Sequence, residues 1–378
     1  MNILLYLFYA FIIYQIALYG YLTYQLCRHA HHQKPAFRQN QPVSVIVCAH
    51  DELPNLQALL PLLLEQVYPQ YEIIVVDDTS DDGTHEWLKT VQAQQPLLQV
   101  ITIAERPSHI QSKKYALTLG IQAARFDQIL LTDADCRPAS SRWIEWMAQS
   151  FDENTQFVLG YSPYYQQPGL LNAFIRYETL HTGLLYLGAA AAGHPYMGVG
   201  RNLAYRKALF IKKKGFEPHQ RVVGGDDDLR VNRFATRENT RLVTDPDARM
   251  FSVPEQYWPD YIRQKTRHLS VGQYYKRRDR AVLGLLSLSS VLLWVLVIVL
   301  LAVGKDWLPI VVLFVGRWII LAAIWAVAAR TLGDSINLVI LPILDFLHVI
   351  YYTVIGAKAL FSSNIQWKKK KNSFQKRR

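Results

Sequence analysis

The stretch DQILLTDAD, residues 127–135, ends a greasy run on two aspartates, Asp133 and Asp135, shortly before Pro138. Its apolar residues do not alternate with polar ones, the pattern of a strand buried on both faces. Three similar runs precede it: VSVIVCA (43–49), YEIIVVDD (71–78) and LLQVITI (97–103). Between the runs lie LPNLQALLPLLLEQ, HEWLKTVQAQQ and KKYALTLGIQAA, each with helical spacing, the first broken at Pro61. This alternation predicts an α/β fold with a parallel sheet covered on both faces. In such sheets a ligand sits beyond the carboxyl ends of the strands. VVDDTSDDGT closes the second strand and TDAD the fourth, so both acidic clusters are expected at one crevice. Turn and cap roles would account for Asp77 and Asp78 taken alone. Asp133 and Asp135, two apart at a turn, can converge on a hard divalent cation, Mg2+ or Mn2+, whose shell is completed by water and phosphate oxygens.

The 378 residues are 51% hydrophobic and 19% charged, a balance that places part of the chain in lipid. Residues 3–26 and Val282–Val303 are long enough, since about 20 helical residues cross the ~30 Å hydrocarbon layer. Leu308–Ala329 is a third candidate and carries only Arg317. A fourth run, Ile336–Phe361, contains Pro342, Asp345, His348 and Lys358, and either spans, lies at the interface or re-enters. The first run lacks the basic start and cleavage site of a secretory signal and reads as an anchor. CRHAHHQKPAFR after the first run and YYKRRDR before the second place the intervening region in the cytoplasm. The tail WKKKKNSFQKRR belongs there too, which four full crossings forbid, so the last segment is expected not to cross fully. The resulting division is an anchor (1–27), a cytoplasmic domain (28–281), transmembrane or interfacial helices (282–361) and a basic cytoplasmic tail (362–378).

Of the net charge of +11, residues 368–378 supply seven lysines and arginines and no acid, leaving +4 elsewhere. The tail reads as a contact with anionic membrane lipids or as a solvated topology signal, and nucleic acid is not an expected partner. Cys27, Cys48 and Cys136 have no metal-ligand spacing and no complete disulfide framework, which fits a reducing cytoplasm. LLNAFIRYETLHTGLLYLGAAAAG (170–193), interrupted by Arg176, Glu178 and His181, reads as an interfacial helix beside an acceptor path or as a core helix.

Three further motifs follow in order. In MGVGRNLAYRK (197–207) the glycines permit close backbone approach to a ligand, or simply turn the chain into a strand. In VVGGDDDLRVNRF (222–234) three aspartates at a glycine-rich helix start complement the helix dipole or supply a general base. In RQKTRHLS (263–270) Gln264 and Arg267 share one helix face, and the planar fork of arginine suits a diphosphate. Arg263 and Lys265 read equally well as a basic face lying on a membrane.

Together these motifs resemble the family 2 glycosyltransferases of GT-A fold, membrane-attached relatives of bacterial polysaccharide synthases and lipid-linked sugar transferases, over about Val43 to Tyr275. The resemblance implies that His50 and Glu52 in VIVCAHDE contact a nucleoside, that Asp78 bonds the base or ribose, and that Lys113 lies near the nucleotide. It further implies that Asp135 binds the metal, with Asp133 sharing it and contacting the sugar nucleotide. Gly200 and Asn202 would lie beside sugar and acceptor, and Gln264 and Arg267 on the diphosphate. His268 stands on the acceptor side where the pattern has tryptophan. Asp227 would be the base and Asp226 its neighbour, with Asp228 replacing Asp227 if the register is shifted by one.

The implied activity is an inverting, metal-dependent transfer of a hexosyl or N-acetylhexosaminyl group from a nucleotide-diphosphate sugar, UDP-linked, to a hydroxyl of a glycan or lipid-linked acceptor. The implied setting is a bacterial inner or plasma membrane with the catalytic domain cytoplasmic. Transfer onto a polyprenyl or other lipid phosphate, and a non-catalytic sugar-nucleotide-binding membrane protein, stay open as alternatives.

Overall fold

A computed structural model describes residues 2–32, 41–105, 107, 110–220, 222–303 and 307–358; the basic tail lies outside them. The four β-branched runs become β1 (Val43–Ala49), β2 (Tyr71–Asp78), β3 (Leu98–Ile103) and β4 (Gln128–Asp133), paired in parallel in the order β3-β2-β1-β4. Every residue of β1 and β2 is buried, as unalternating apolar runs require. The chain moves outward from β1 to β3 and then returns to the other side of β1, which creates a topological switch point between β1 and β4. Cys48 pairs with Asp133 across it, so the loop carrying His50 and the DAD turn emerge side by side.

The sheet is not wholly parallel. Beyond β4 come β7 (Leu203–Arg206), β6 (Phe157–Gly160) and β8 (Thr240–Val243), with β7 antiparallel to both of its neighbours. A two-stranded ribbon of β5 (Cys136–Pro138) and β9 (Met250–Ser252) stands beside the DAD turn.

Helices cover both faces. Leucines of α2 (Leu53–Leu64) and α3 (Thr84–Gln94) pack with Trp143, Ile144 and Met147 of α5 (Trp143–Ala148) against Val45, Val47, Ile73 and Val75. On the other face, α4 (Ser112–Ala123) packs against Ile46, Ile74 and Val76, and α6 (Leu170–Ala191) joins the same core at β8. Helix α2 runs through Pro61 rather than breaking there. The missing N–H falls in the last turn, and burial of Leu56, Leu59, Leu60 and Leu63 outweighs one lost hydrogen bond. The remaining helices between the sheet's strands and α10 are α7 (Lys207–Lys212), α8 (Asp228–Phe234) and α9 (Trp258–Val271).

Three helices among the described residues are long and apolar enough to cross a membrane: α1 (Asn2–His32), α10 (Arg277–Val303) and α11 (Trp307–Thr331). Among the described residues the fourth apolar run forms α12 (Leu341–Ile350) and a π-helical turn over Tyr351–Gly356, together shorter than a spanning helix; residues 359–361 of that run lie outside them. Arg317 of α11 donates to both carboxylate oxygens of Asp345 in α12, at 2.9 and 3.1 Å, and to Gln15 of α1 at 2.8 Å. Gln15 in turn donates to Ser289 of α10, and Trp294 and Trp318 donate to Asp345. The charges in these apolar segments therefore satisfy one another inside the bundle, as a low-dielectric setting demands.

Helix α1 is not a separate body. Tyr19, Leu22 and Leu26 of α1 belong to the same core as α6 and the sheet, and the Tyr19 hydroxyl lies 2.9 Å from Nε2 of His181 in α6. A Cβ at Gly188 of α6 would meet Leu22 at 2.9 Å, so the two helices touch through glycine. Helix α6 is thus a core helix, and its charged residues have buried partners: Glu178 pairs with Lys265, and Arg176 with Asp334 at 3.0 Å.

Candidate active site

At the carboxyl ends of β1 and β4 the chain bends sharply. Asp51 and Thr79, the residues that open the loops after β1 and β2, both have φ of 55°, a left-handed backbone that non-glycine residues adopt at a cost. Cross-bonds hold them there: Asp51 N–H donates to Ser80 Oγ at 2.9 Å, and Asp81 N–H donates to Asp51 Oδ1 at 2.8 Å. His50 Nδ1 lies 2.6 Å from the carbonyl oxygen of Asp78 and donates to it.

These loops rim a cavity of about 930 Å3. His50, Glu52, Lys113, Asp133, Asp135, Gly200, Asp226, Asp227, Asp228, Gln264, Arg267 and His268 all line it, so the tertiary fold gathers residues spread over more than half the chain. Asp78 and Asn202 are absent from its wall. Asp78 is fully buried behind it and accepts a hydrogen bond from Ser112. Asn202 is also fully buried: its amide donates to the carbonyls of Tyr161 and Ala248 at 2.7 and 2.9 Å, and its oxygen accepts from Trp143 Nε1 at 3.0 Å. Its expected place on the acceptor side is therefore corrected to a structural one, because every polar atom is already engaged.

Lys113 is the electrostatic centre. Its Nζ lies 2.9 Å from Asp133 Oδ1 and 3.5 Å from Asp226 Oδ2, so one ammonium joins the DAD and DDD motifs. Burial opposes its charge, but Asp133, Asp226 and Asp227 outweigh that and hold its pKa well above the ordinary lysine value. The next residue, Lys114, points elsewhere and ties the carbonyls of His219 and Val222 to α4, fixing the loop that leads into the DDD motif.

Asp227 caps α8 by accepting from the N–H of Asp228 at 2.8 Å, and its other oxygen accepts from the N–H of Gly200. A Cβ at Gly200 would meet Asp227 Oδ2 at 2.8 Å, so glycine is required for this approach. Recession into the cavity, and then the charge of Asp226, push Asp227 up to about 6. Burial and Asp227 raise Asp228 well above the carboxylate range, and it bonds Tyr275. Gly225, with φ of 70°, allows the sharp entry to this motif and the close packing of Leu229 and Val271.

Asp135 is pushed up to about 6 by burial, Asp133 and Glu52. Two neighbouring carboxylates that make a third hold its proton are a site that gains from a cation. The raised carboxyl of Asp135 beside Asp133 and Glu52 is the donor chemistry that a hard divalent ion takes, with water and diphosphate oxygens completing its shell. The ribbon fixes the turn, with Val253 N–H donating to the Asp135 carbonyl at 3.1 Å.

Arg201 went unnoticed in the sequence between Gly200 and Asn202. It lines the cavity, is held by Ser162 through Nε at 2.7 Å and Nη2 at 3.0 Å, and lies 4.8 Å from the Tyr164 ring centroid. The three residues form one tight turn, so neighbours in sequence diverge: Asn202 enters the core and Arg201 the cavity. Of the two residues for which a membrane-facing and a ligand role were equally expected, Lys265 is buried against Glu178 and Arg263 is exposed and pairs with Asp260 at 2.6 Å, and both line the cavity.

Residues 44–212 match Glycosyl transferase family 2. The glycosyltransferase AglE of Haloferax volcanii is 26% identical over 191 residues, which cover 49% of this chain and 58% of AglE, so the match spans little more than half of that relative. Among solved structures, a mannosyltransferase from Pyrobaculum calidifontis, PcManGT, determined in complex with GDP-Man and Mn2+, superposes with a TM-score of 0.58 at 19% identity, over 91% of this chain and 99% of the other, a likeness of fold. Over residues 44–212 this chain is similar to glycosyl transferase family 2, and its mixed, parallel-dominated sheet has the GT-A-like fold of PcManGT.

Proposed function

We propose that the protein transfers a hexose or N-acetylhexosamine from a nucleoside diphosphate sugar to the hydroxyl of a glycan or lipid-linked acceptor, with inversion. The observation that carries this is the convergence of Asp133, Asp135, Lys113 and the 226–228 aspartates on one cavity at the sheet's switch point. Asp135 and Asp133 would hold Mg2+ or Mn2+, an ion that neutralises the diphosphate as it leaves. Arg201, recessed beside these acids, and Arg267 with Gln264 on α9 supply fixed donors toward the same charge. His50 and Glu52 at the end of β1 stand where a nucleoside would meet the rim, and Asp78 steadies His50 through its carbonyl.

Asp227 accepts the acceptor's proton. Two backbone N–H groups orient its carboxylate, and a pKa of about 6 leaves it ionised near neutrality yet basic enough to act. Gly200 and His268 face the same space and would border the acceptor.

The lysine and arginine flanks support a cytoplasmic catalytic domain, with α1, α10 and α11 in the bilayer and the last apolar segment not crossing fully, so that the charge of the sequence's basic tail is also met on that side. The deciding experiment is calorimetric titration of purified protein with UDP- and GDP-linked sugars, with and without Mn2+, followed by product analysis from membranes. The uracil expected from the sequence and the guanine bound by PcManGT are both on the panel. Failure of every nucleotide sugar to bind would refute the reading.

A further inference from the structure

The DAD turn and the loop after β1 are tied together by a side chain that has no part in the proposed chemistry. Arg137 of β5, half-buried, divides its guanidinium between two sets of acceptors. Nη1 donates to the carbonyls of Ala134 and Cys136, at 3.1 and 2.5 Å, on either side of Asp135. Nη2 donates to Oδ1 of Asn55, in the first turn of α2, at 3.3 Å. The other end of that amide, Nδ2, donates to Glu52 Oε2 at 2.7 Å. A side-chain amide accepts at its oxygen and donates at its nitrogen, so Asn55 joins a guanidinium to a carboxylate in one orientation only. The same helix start holds the loop after β2, where Leu53 N–H donates to Asp82 Oδ2 at 3.0 Å. Glu52 and Asp135 both line the cavity, and the charge of Glu52 is one of those that push Asp135 up. Two carboxylates that repel are thus held at a set separation by a chain of hydrogen bonds outside the cavity wall.

We infer that Arg137 and Asn55 are positioning residues that couple capture of a divalent cation at Asp135 to capture of a nucleoside at Glu52. A cation on Asp135 fixes the turn, the carbonyls of Ala134 and Cys136 fix the guanidinium, and the Asn55 amide passes that orientation to the Glu52 carboxylate. Neither Arg137 nor Asn55 lines the cavity, so each acts through another residue. Such coupling is reciprocal: the factor by which the cation tightens the nucleotide equals the factor by which the nucleotide tightens the cation. The inference rests on the glycosyl-transfer reading, which puts cation and nucleoside at these two acids.

The test uses the full chain in detergent micelles, with free Mn2+ counted by electron paramagnetic resonance, alone and with saturating UDP or GDP. In the unsubstituted protein one of these nucleotides is expected to tighten Mn2+ about tenfold or more. Asn55→Ala should reduce that factor to below about twofold, while Mn2+ alone binds as before, because Asn55 touches neither ligand, and cooperative melting reports an intact fold. Arg137→Lys keeps the charge but not the planar fork that spans two carbonyls and an amide, so it should lose the coupling too. The double variant should be no worse than either single one, because the two residues act in series. Coupling retained in Asn55→Ala, coupling retained in Arg137→Lys, or losses that add in the double variant each overturn the inference. Failure of the unsubstituted protein to bind either nucleotide, read by calorimetry on the same preparation, overturns the glycosyl-transfer reading itself, and that signal is separate from a loss of coupling.

Discussion

The ammonium of Lys113 lies 2.9 Å from Oδ1 of Asp133, in a cavity where Asp226 also stands within 3.5 Å of it. Removing that cation leaves several recessed carboxylates to repel one another, and each then holds its proton to higher pH. Lys113→Met is expected to lower turnover at least about tenfold and to move the acid limb of the pH–rate profile upward. Lys113→Arg should restore part of both. An unmoved profile in the methionine variant would show that Lys113 does not set the charge balance.

Asp227, raised to about 6, must be ionised to act as a base, so activity should climb as pH passes through about 6 and then level. Asp227→Asn is expected to cost about 100-fold or more in transfer to a hydroxyl; retention of most activity would favour a lipid-phosphate acceptor, which needs no base. The stability sign is opposite. Because the folded pKa lies above the ordinary 3.8, this group's contribution is full below 3.8 and is lost as pH rises through about 6. Melting curves of metal-free protein should show that decline, and Asp227→Asn should flatten it.

Chelation should abolish most of the nucleotide-sugar uptake, with Mn2+ or Mg2+ restoring it. In Asp135→Asn the same ion concentration should fail to restore it, because one of two anionic ligands is gone. Uptake indifferent to both treatments would remove the metal from this site.

Asn202→Ala strands the Trp143 indole N–H and two carbonyls in the core. A loss of about 3 kcal/mol in unfolding free energy is expected from unsatisfied buried groups of this kind, with donor affinity of the folded protein nearly unchanged. Normal melting together with lost acceptor use would instead return Asn202 to the acceptor.

Arg317→Leu leaves Asp345 charged inside the helical bundle, a change expected to cost about 3–5 kcal/mol. The double variant Arg317→Leu/Asp345→Leu should recover most of it, as read by thermal unfolding in detergent micelles. Equal destabilisation in the double variant would mean that the pair contributes more than mutual neutralisation.

Much of this molecule was legible residue by residue. β1 and β2 begin and end where the runs 43–49 and 71–78 do, because a parallel strand covered on both faces is mostly apolar and admits a polar residue only where it has a partner, as Glu72 has in Ser44 and Arg125. The DAD and DDD motifs were legible for a related reason: clustered acids at the ends of apolar elements are too costly to be incidental. Arg201 and Asn202 were not. Adjacent in sequence and both polar, they differ only in the direction that a single tight turn gives them.

By sequence alone the chain determined its alternating strands and helices, its three greasy spans and the acidic clusters at its strand and helix ends, since burial and charge repulsion act on each segment locally. Tertiary structure alone decided that Lys113 joins two motifs more than 90 residues apart, that β7 runs antiparallel, and that α1 shares the domain's core. Those outcomes depend on which surfaces meet when every apolar face must be covered at once, and no local run of residues encodes its partner.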